Sequence, residues 1–305
     1  KAVDGVSLNV RRGEILGIAG ESGSGKSTLV QLLIGIPSSL LHYESGEVSI
    51  DNFKIYQIDK KTLRTKILCK KVSYVPQASM HSLKKKKKLK DFIYDVMKER
   101  FYENKGDRPS KAEVLNQATI HFAKVGLDKS VLNLYPHELS GGMKQRTVIA
   151  ISTLWNPQLL IADEPTSALD VSTQKQLIEM MLNLQEEGIT ETIMIISHDL
   201  PSLRQICTRC AIMYGGRIVE EGPMEDIINS PHHPYTEGLV LSIASFNPDG
   251  TAETLLKSMP GRPPDLREPP KGCRFHPRCP KALSICKTKT PLKSYPDNNE
   301  HSVAC

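Results

Sequence analysis

Ile15-Leu16-Gly17-Ile18-Ala19-Gly20-Glu21-Ser22-Gly23-Ser24-Gly25-Lys26-Ser27 decides the fold. A short apolar run, too brief for a helix, ends at a glycine. The pattern G-x-x-x-x-G-K-[ST] follows, and an apolar-periodic helix runs on from Ser27 to Ile34. Glycines let consecutive backbone N–H groups point inward, and a helix N-terminus adds positive potential. Lys26 then reaches the β- and γ-phosphates of a nucleotide, and Ser27 holds Mg²⁺. A glycine-rich turn with no ligand is the bland alternative, and the strand–loop–helix context argues against it.

Working outward, Leu159-Leu160-Ile161-Ala162-Asp163-Glu164 is a buried-strand pattern ending in two adjacent carboxylates. Phosphoryl transfer to water needs one acid for the Mg²⁺ shell and another group to orient the water. Asp163 suits the first role and Glu164 the second. Alone, such a pair is more often a charge pair at a helix start; with the loop at Gly20 the chemical reading wins. Leu139-Ser140-Gly141-Gly142-Met143 offers a serine cap and two glycines at a helix start, a second anion site, although by itself a capped helix start is the commoner meaning.

The 305 residues allow one large α/β domain and an appendage, with 24% charged and 39% hydrophobic residues. The best apolar stretch, Thr147 to Ala162, is broken by Trp155-Asn156-Pro157 and is too short to span a membrane. The first residues read as charged amphipathic sequence and not as a signal peptide. The chain begins at Lys1, so a segment upstream is expected. Lys84–Lys88 and the basic stretch from Lys257 onward carry more than the whole formal charge of +6. This is not a nucleic-acid-binding face, and no nucleic-acid partner is expected. The lysine run reads as a solvated loop, with contact to anionic headgroups as the lesser reading.

From Val6 to Val75 short β-branched runs alternate with turns: VSLNV, EILGIAG, a hairpin signal at Asp51-Asn52, and KVSYV. From about Leu89 to Leu154 the pattern is helical. Phe92, Ile93, Val96 and Met97 share a face, and Ser110 with Glu113 forms a capping box. From Leu159 to about Ile228 strands and helices alternate again, as in a parallel sheet. Prolines thicken after Pro231, and four of the seven cysteines fall in the last 33 residues. The expected division is 1–230 for a nucleotide-binding domain, with a helical subdomain at about 89–154, and 231–305 for a cysteine-containing appendage.

Together these segments resemble the ABC ATPase family. Leu139–Met143 resembles its signature sequence, Asp163-Glu164 its Walker B acids, Gln77 its Q-loop, Ser167–Asp170 its D-loop and His198 its switch histidine. The matches are in family order between residues 13 and 222. The resemblance implies a P-loop ABC-type α/β fold in which Gly20, Glu21, Ser22, Gly23, Ser24, Gly25, Lys26, Ser27 and Thr28 cradle ATP. Ser27, Gln77 and Asp163 serve Mg²⁺, while Glu164, His198 and Gln77 act in hydrolysis. Ser140, Gly141, Gly142 and Asp170 meet the nucleotide of an opposing subunit in a head-to-tail dimer.

Pro231–Thr236, Pro260–Pro264 and Cys273–Cys279 through Cys305 resemble the C-terminal region of dipeptide/oligopeptide importer ATPases, nearer the first of that system's two. This implies a heterodimer with a sister ATPase (a homodimer in isolation being the other arrangement), two membrane permeases and an extracytoplasmic binding protein. It also implies a peripheral place on the cytoplasmic face of the membrane. A nickel importer ATPase, a soluble ABC ATPase and a regulator without turnover are the competing readings. The presence of Glu164 and His198 argues against the last. Two departures stand out: no adenine-stacking aromatic is assigned, and Lys84–Lys88 replaces the family's Asn-Pro and apolar segment.

Cys273, Cys279, Cys286 and Cys305 are spaced C-x5-C-x6-C-x18-C, wider than structural zinc pairs. The importer resemblance points to a [4Fe–4S] cluster; zinc and unliganded thiols are the other readings. Arg274, Arg278, Lys281 and Lys287 are expected to offset the site's negative charge. Cys207 and Cys210 read as structural, since Cys210 opens an apolar strand.

Overall fold

The computed structural model describes residues 1–68, 70–77, 79, 82–100, 109–243, 259–296 and 300–305. It divides into one unit of residues 1–45 and 194–305 and a second of residues 46–193. Strand β1 (Ile15–Ala19) is buried at every position, as its unbroken apolar run requires, and leads through the glycine loop into helix α1 (Lys26–Leu33). Upstream, Val6–Val10 keeps a strand's alternating exposure but is not a strand: among the described residues it has no ladder partner. Alternation prepares a face, and a neighbouring edge is still needed to make a strand.

The second unit opens with the hairpin β2 (Ser49–Ile50) and β3 (Phe53–Lys54), turning at Asp51 with φ +50° as the Asp-Asn signal predicts. Helix α2 (Lys60–Thr62), capped by Asp59, runs into a wider π-helical turn, Leu63–Ile67. Strand β4 (Val72–Val75) then precedes the lysine run. Lys84 to Lys87 are exposed, as a solvated loop would be, with Lys87 paired to Asp95 and Lys88 lying 5.6 Å from the Tyr135 ring centre.

Helix α3 (Leu89–Arg100) buries Leu89, Ile93 and Met97, whereas Phe92 and Val96 are only half-buried, so the core stripe is narrower than the sequence pattern. Helix α4 (Lys111–Lys124) starts with both halves of the Ser110–Glu113 capping box. Helix α5 (Gly141–Ser152) ends near His121 of α4, whose Nε2 lies 2.9 Å from the Ala150 carbonyl oxygen and 3.0 Å from the Thr153 hydroxyl. Asn156, at φ +50°, turns the chain after Trp155 into β5 (Leu159–Asp163), parallel to β4, and helix α6 (Val171–Glu186) follows.

The chain returns to the first unit within β6 (Thr192–Ser197), buried throughout. After α7 (Leu200–Arg204), strand β7 (Arg209–Tyr214) lies parallel to β1 and antiparallel to β8 (Arg217–Pro223). Arg209 ties these strands from inside: its guanidinium meets Glu14 at 2.8 and 3.0 Å and also pairs with Glu221, all three buried. Helices α8 (Met224–Asn229) and α9 (Pro234–Leu241) follow, and β9 (Ser302–Val303) adds antiparallel to β8. Glu220 of β8, 1% exposed, accepts from the His232 and His233 backbone N–H groups and meets His301 Nε2 at 2.8 Å. One buried carboxylate thus fastens the start of α9 and the tail's last strand.

Candidate functional site

In the first unit the glycine loop needs its glycines for reasons of space. Gly20 and Gly25 sit at φ +149° and +102°; a Cβ would come within 2.2 Å of the Met213 carbonyl oxygen or 2.5 Å of that of Ala2. Helix α1 has no side-chain cap, which leaves its first N–H groups to a ligand. Lys26 is 6% exposed and its ammonium folds back over the loop, donating to the Gly20 carbonyl at 2.6 Å and the Glu21 carbonyl at 3.0 Å. Ser24 Oγ is buried with no hydrogen-bond partner among the described residues. An uncapped helix start, a lysine and an orphan hydroxyl are a donor set that a polyphosphate fits. Ser22 and Gly23 are exposed, and Ser27 and Thr28 are half-buried at the helix start. His198 stands exposed just past β6, where the next residue, Asp199, bonds Ser197 and Ser202.

In the second unit the parallel register pairs Val75 with Ala162, so Gln77 and Glu164 leave the same end of one ladder. Asp163 is 1% exposed and accepts from the Tyr74 hydroxyl at 3.3 Å. Burial, then the Asp163 charge, pushes the Tyr74 phenol up, so it stays a donor at neutral pH. Glu164 is half-buried in the left-handed region at φ +51°, held by Ser167, whose N–H and hydroxyl both donate to its carbonyl.

Ser140 is exposed and caps α5, its Oγ accepting from the Met143 N–H at 3.3 Å. Gly141 is exposed, while at Gly142 a Cβ would lie 2.2 Å from Thr173 Cγ2 on α6, so this glycine also serves packing. Asp170 caps α6: its carboxylate accepts from the Thr173 N–H and hydroxyl and from Ser172, which hold its pKa well below the usual carboxylate range. Tyr74 escaped the sequence reading, because an alternating strand gives no sign of which tyrosine meets a carboxylate.

The tail belongs to the first unit. Cys273, Cys279 and Cys286 are half-buried, Cys305 is exposed, and all four are free thiols. The Cys273 N–H donates to the Cys286 carbonyl at 2.9 Å, across a Gly272 turn where a Cβ would meet that oxygen at 2.4 Å. Burial raises the Cys273, Cys279 and Cys305 thiols, and neighbouring cysteines raise them further. The His276 N–H donates to the Cys273 carbonyl at 3.1 Å, and that of Arg278 to the Phe275 carbonyl at 2.9 Å, which closes the loop between the first two cysteines. Thiols are the ligand type that an iron–sulfur cluster or a zinc ion takes. Among the described residues, no three Cys, His, Asp or Glu side chains are drawn in to metal-ligating geometry.

The expected charge offset is only partly there. Lys281 acts on Cys279, whereas Arg274 is committed to Asp4 at 2.7 Å and Arg278 to Glu21 at 2.7 and 2.9 Å. Cys207 and Cys210 are buried beside Gly17, and burial pushes the Cys210 thiol up to about 12, which leaves it inert at neutral pH.

Residues 3–167 match the ABC transporter family, and residues 219–286 match the oligopeptide/dipeptide transporter C-terminal region. The dipeptide transport ATP-binding protein DppD of Caldanaerobacter subterraneus is 39% identical over 100% of this chain and 90% of its own. The oligopeptide transport ATP-binding protein OppD of Salmonella typhimurium is 37% identical over 96% of this chain and 85% of its own. Among solved structures, the ATP-binding cassette MJ0796, a dimer in a post-hydrolysis state with ADP and Pi, superposes with a TM-score of 0.62 at 28% identity, covering 73% of this chain and 90% of that one.

Proposed function

The chain belongs to the ABC transporter ATP-binding subunits of the oligopeptide/dipeptide branch, and from that premise we propose that it hydrolyses ATP to drive import of di- or oligopeptides. The observation that carries the nucleotide reading is the cradle at Gly20–Ser27, with its space-limited glycines, uncapped helix start and buried lysine. Gly20 to Thr28 bind the phosphates. Ser27, Asp163 and Gln77 would serve Mg²⁺, which when bound would offset charge on the phosphates. Glu164 orients the attacking water, and His198 contacts the γ-phosphate. Ser140, Gly141, Gly142 and Asp170 serve the site of a second cassette.

The division of labour follows the sequence: 1–230, with its helical part at about 89–154, for nucleotide, and 231–305 for the importer-type tail. Cys273, Cys279, Cys286 and Cys305 would hold a [4Fe–4S] cluster, with zinc as the competing occupant of the same thiols. The partners are a sister ATPase, two permeases and, through them, an extracytoplasmic binding protein. No described helix is long and apolar enough to cross a membrane, and the chain sits peripherally on the permeases at the cytoplasmic face.

The test is uptake of labelled di- and oligopeptides by the assembled transporter in vesicles, with Lys26→Ala as control. ATP-dependent peptide uptake that the variant loses supports the reading. Nickel uptake without peptide uptake would move the chain to the nickel importers. ATP turnover indifferent to the permeases would move it to the soluble ABC ATPases.

A further inference from the structure

Two separate parts of the tail grip one residue of the phosphate loop. The Glu21 backbone N–H donates to the Tyr235 hydroxyl at 2.8 Å, and the Glu21 carboxylate accepts both Arg278 terminal nitrogens, at 2.7 and 2.9 Å. Arg278 is itself fixed on every side. It is 8% exposed, its Nε donates to the Pro260 carbonyl at 2.8 Å, and its guanidinium lies 5.7 Å from the Tyr214 ring centre. Gly261 gives it room, since a Cβ there would stand 3.2 Å from Arg278 Cγ. Beneath it, Tyr214, Tyr235 and Phe275 pack with ring centres 4.5 to 5.4 Å apart.

The loop depends on such outside support. Its glycines at 20, 23 and 25 take positive φ and lose much chain entropy when ordered. A bidentate arginine–carboxylate pair is strong and directional, and here removing the carboxylate leaves the buried Arg278 charge without its partner, whereas Glu21 is 26% exposed. Arg278 stands one residue before Cys279, so the grip comes from the cysteine loop itself.

We propose that Arg278 is a positioning residue for the phosphate loop, through which the cysteine-bearing tail sets the affinity for nucleotide. This rests on the nucleotide reading above. If the pair only anchored the tail, its loss would lower thermal stability and leave nucleotide affinity alone.

The experiment is calorimetric titration of the full-length chain with Mg²⁺·ATP. Arg278→Ala and Glu21→Gln should each weaken binding about tenfold, the scale of one hydrogen bond to a charged group. Arg278→Lys, which keeps charge but not the fork, should recover part of the loss. The double variant should bind no worse than the weaker single one. Tyr235→Phe keeps the ring packing, removes the acceptor of the Glu21 N–H, and should weaken binding by a smaller factor. In the assembled transporter, Arg278→Ala should raise KM for ATP while kcat stays within about twofold. Unchanged affinity in Glu21→Gln and Arg278→Ala proteins that melt cooperatively would overturn the proposal, and so would losses that simply multiply in the double variant. A wild-type chain that binds no ATP would instead sink the nucleotide reading.

Discussion

Glu164 is a single residue whose backbone and chemistry point the same way: a non-glycine at φ +51°, pinned by Ser167, at the end of a buried strand. Left-handed conformations at such residues persist where the surroundings enforce them, often at reacting centres. Glu164→Gln is expected to keep ATP binding and lower turnover by about 10²–10⁴, the range for a group that assists proton transfer. Steady-state ATPase of the assembled transporter checks this, and near-normal turnover would remove Glu164 from the role. Ser140→Arg should leave ATP binding by the isolated chain intact, cost about 1 kcal/mol of cap stability, and abolish nucleotide-dependent pairing of cassettes. Light scattering with the hydrolysis-deficient chain decides it; unchanged pairing reduces Ser140 to a helix cap. Lys26, Asp163 and Glu164 were legible in the sequence because phosphate chemistry fixes local spacing. Tyr74, Tyr235 and Arg278 were not: their partners lie 89, 214 and 257 residues away along the chain, and spacing carries no trace of such contacts.

At the scale of elements, the Ser110 capping box, the Asp51 hairpin and the strand before Gly20 were read from local rules, because caps, turns and buried runs are set within a few residues. Val6–Val10 and the width of the α3 stripe were misread because neighbours decide them. The α4–α5 contact adds a pH dependence. Burial lowers His121 from 6.5 to about 4, and Lys124 opposes its charge too. Below pH 6.5 the unfolded chain takes up a proton that the folded chain resists. The contribution is therefore whole above 6.5 and lost as pH falls toward 4, about 3 kcal/mol over that window. His233, also lowered to about 4 by burial, adds a similar slope. His121→Gln should flatten the fall of Tm between pH 6.5 and 4 without abolishing it. Calorimetric melts across that range are the check, and parallel curves for variant and wild type would remove His121 as a cause.

For the molecule as a whole, the tail was visible in the sequence as proline and cysteine, but not its attachment. Two residues, Ser302 and Val303, extend the β8 edge, and His301 meets a carboxylate on β8, connections too short to leave a pattern. The proposed cluster is open to direct analysis. Protein purified without oxygen should carry about four iron and four acid-labile sulfide per chain, with broad visible absorbance. Stoichiometric zinc with no sulfide would keep the ligands and discard the cluster.

Trp155, half-buried at the turn before β5, is the only tryptophan in the chain, and it belongs to the unit of residues 46–193. Ultraviolet emission excited at the red edge therefore watches that unit alone, while any visible colour from the thiol group watches the other. A single urea titration read at both wavelengths would time their losses separately. Coincident midpoints would mark one cooperative melt, and separated midpoints would show which unit gives way first.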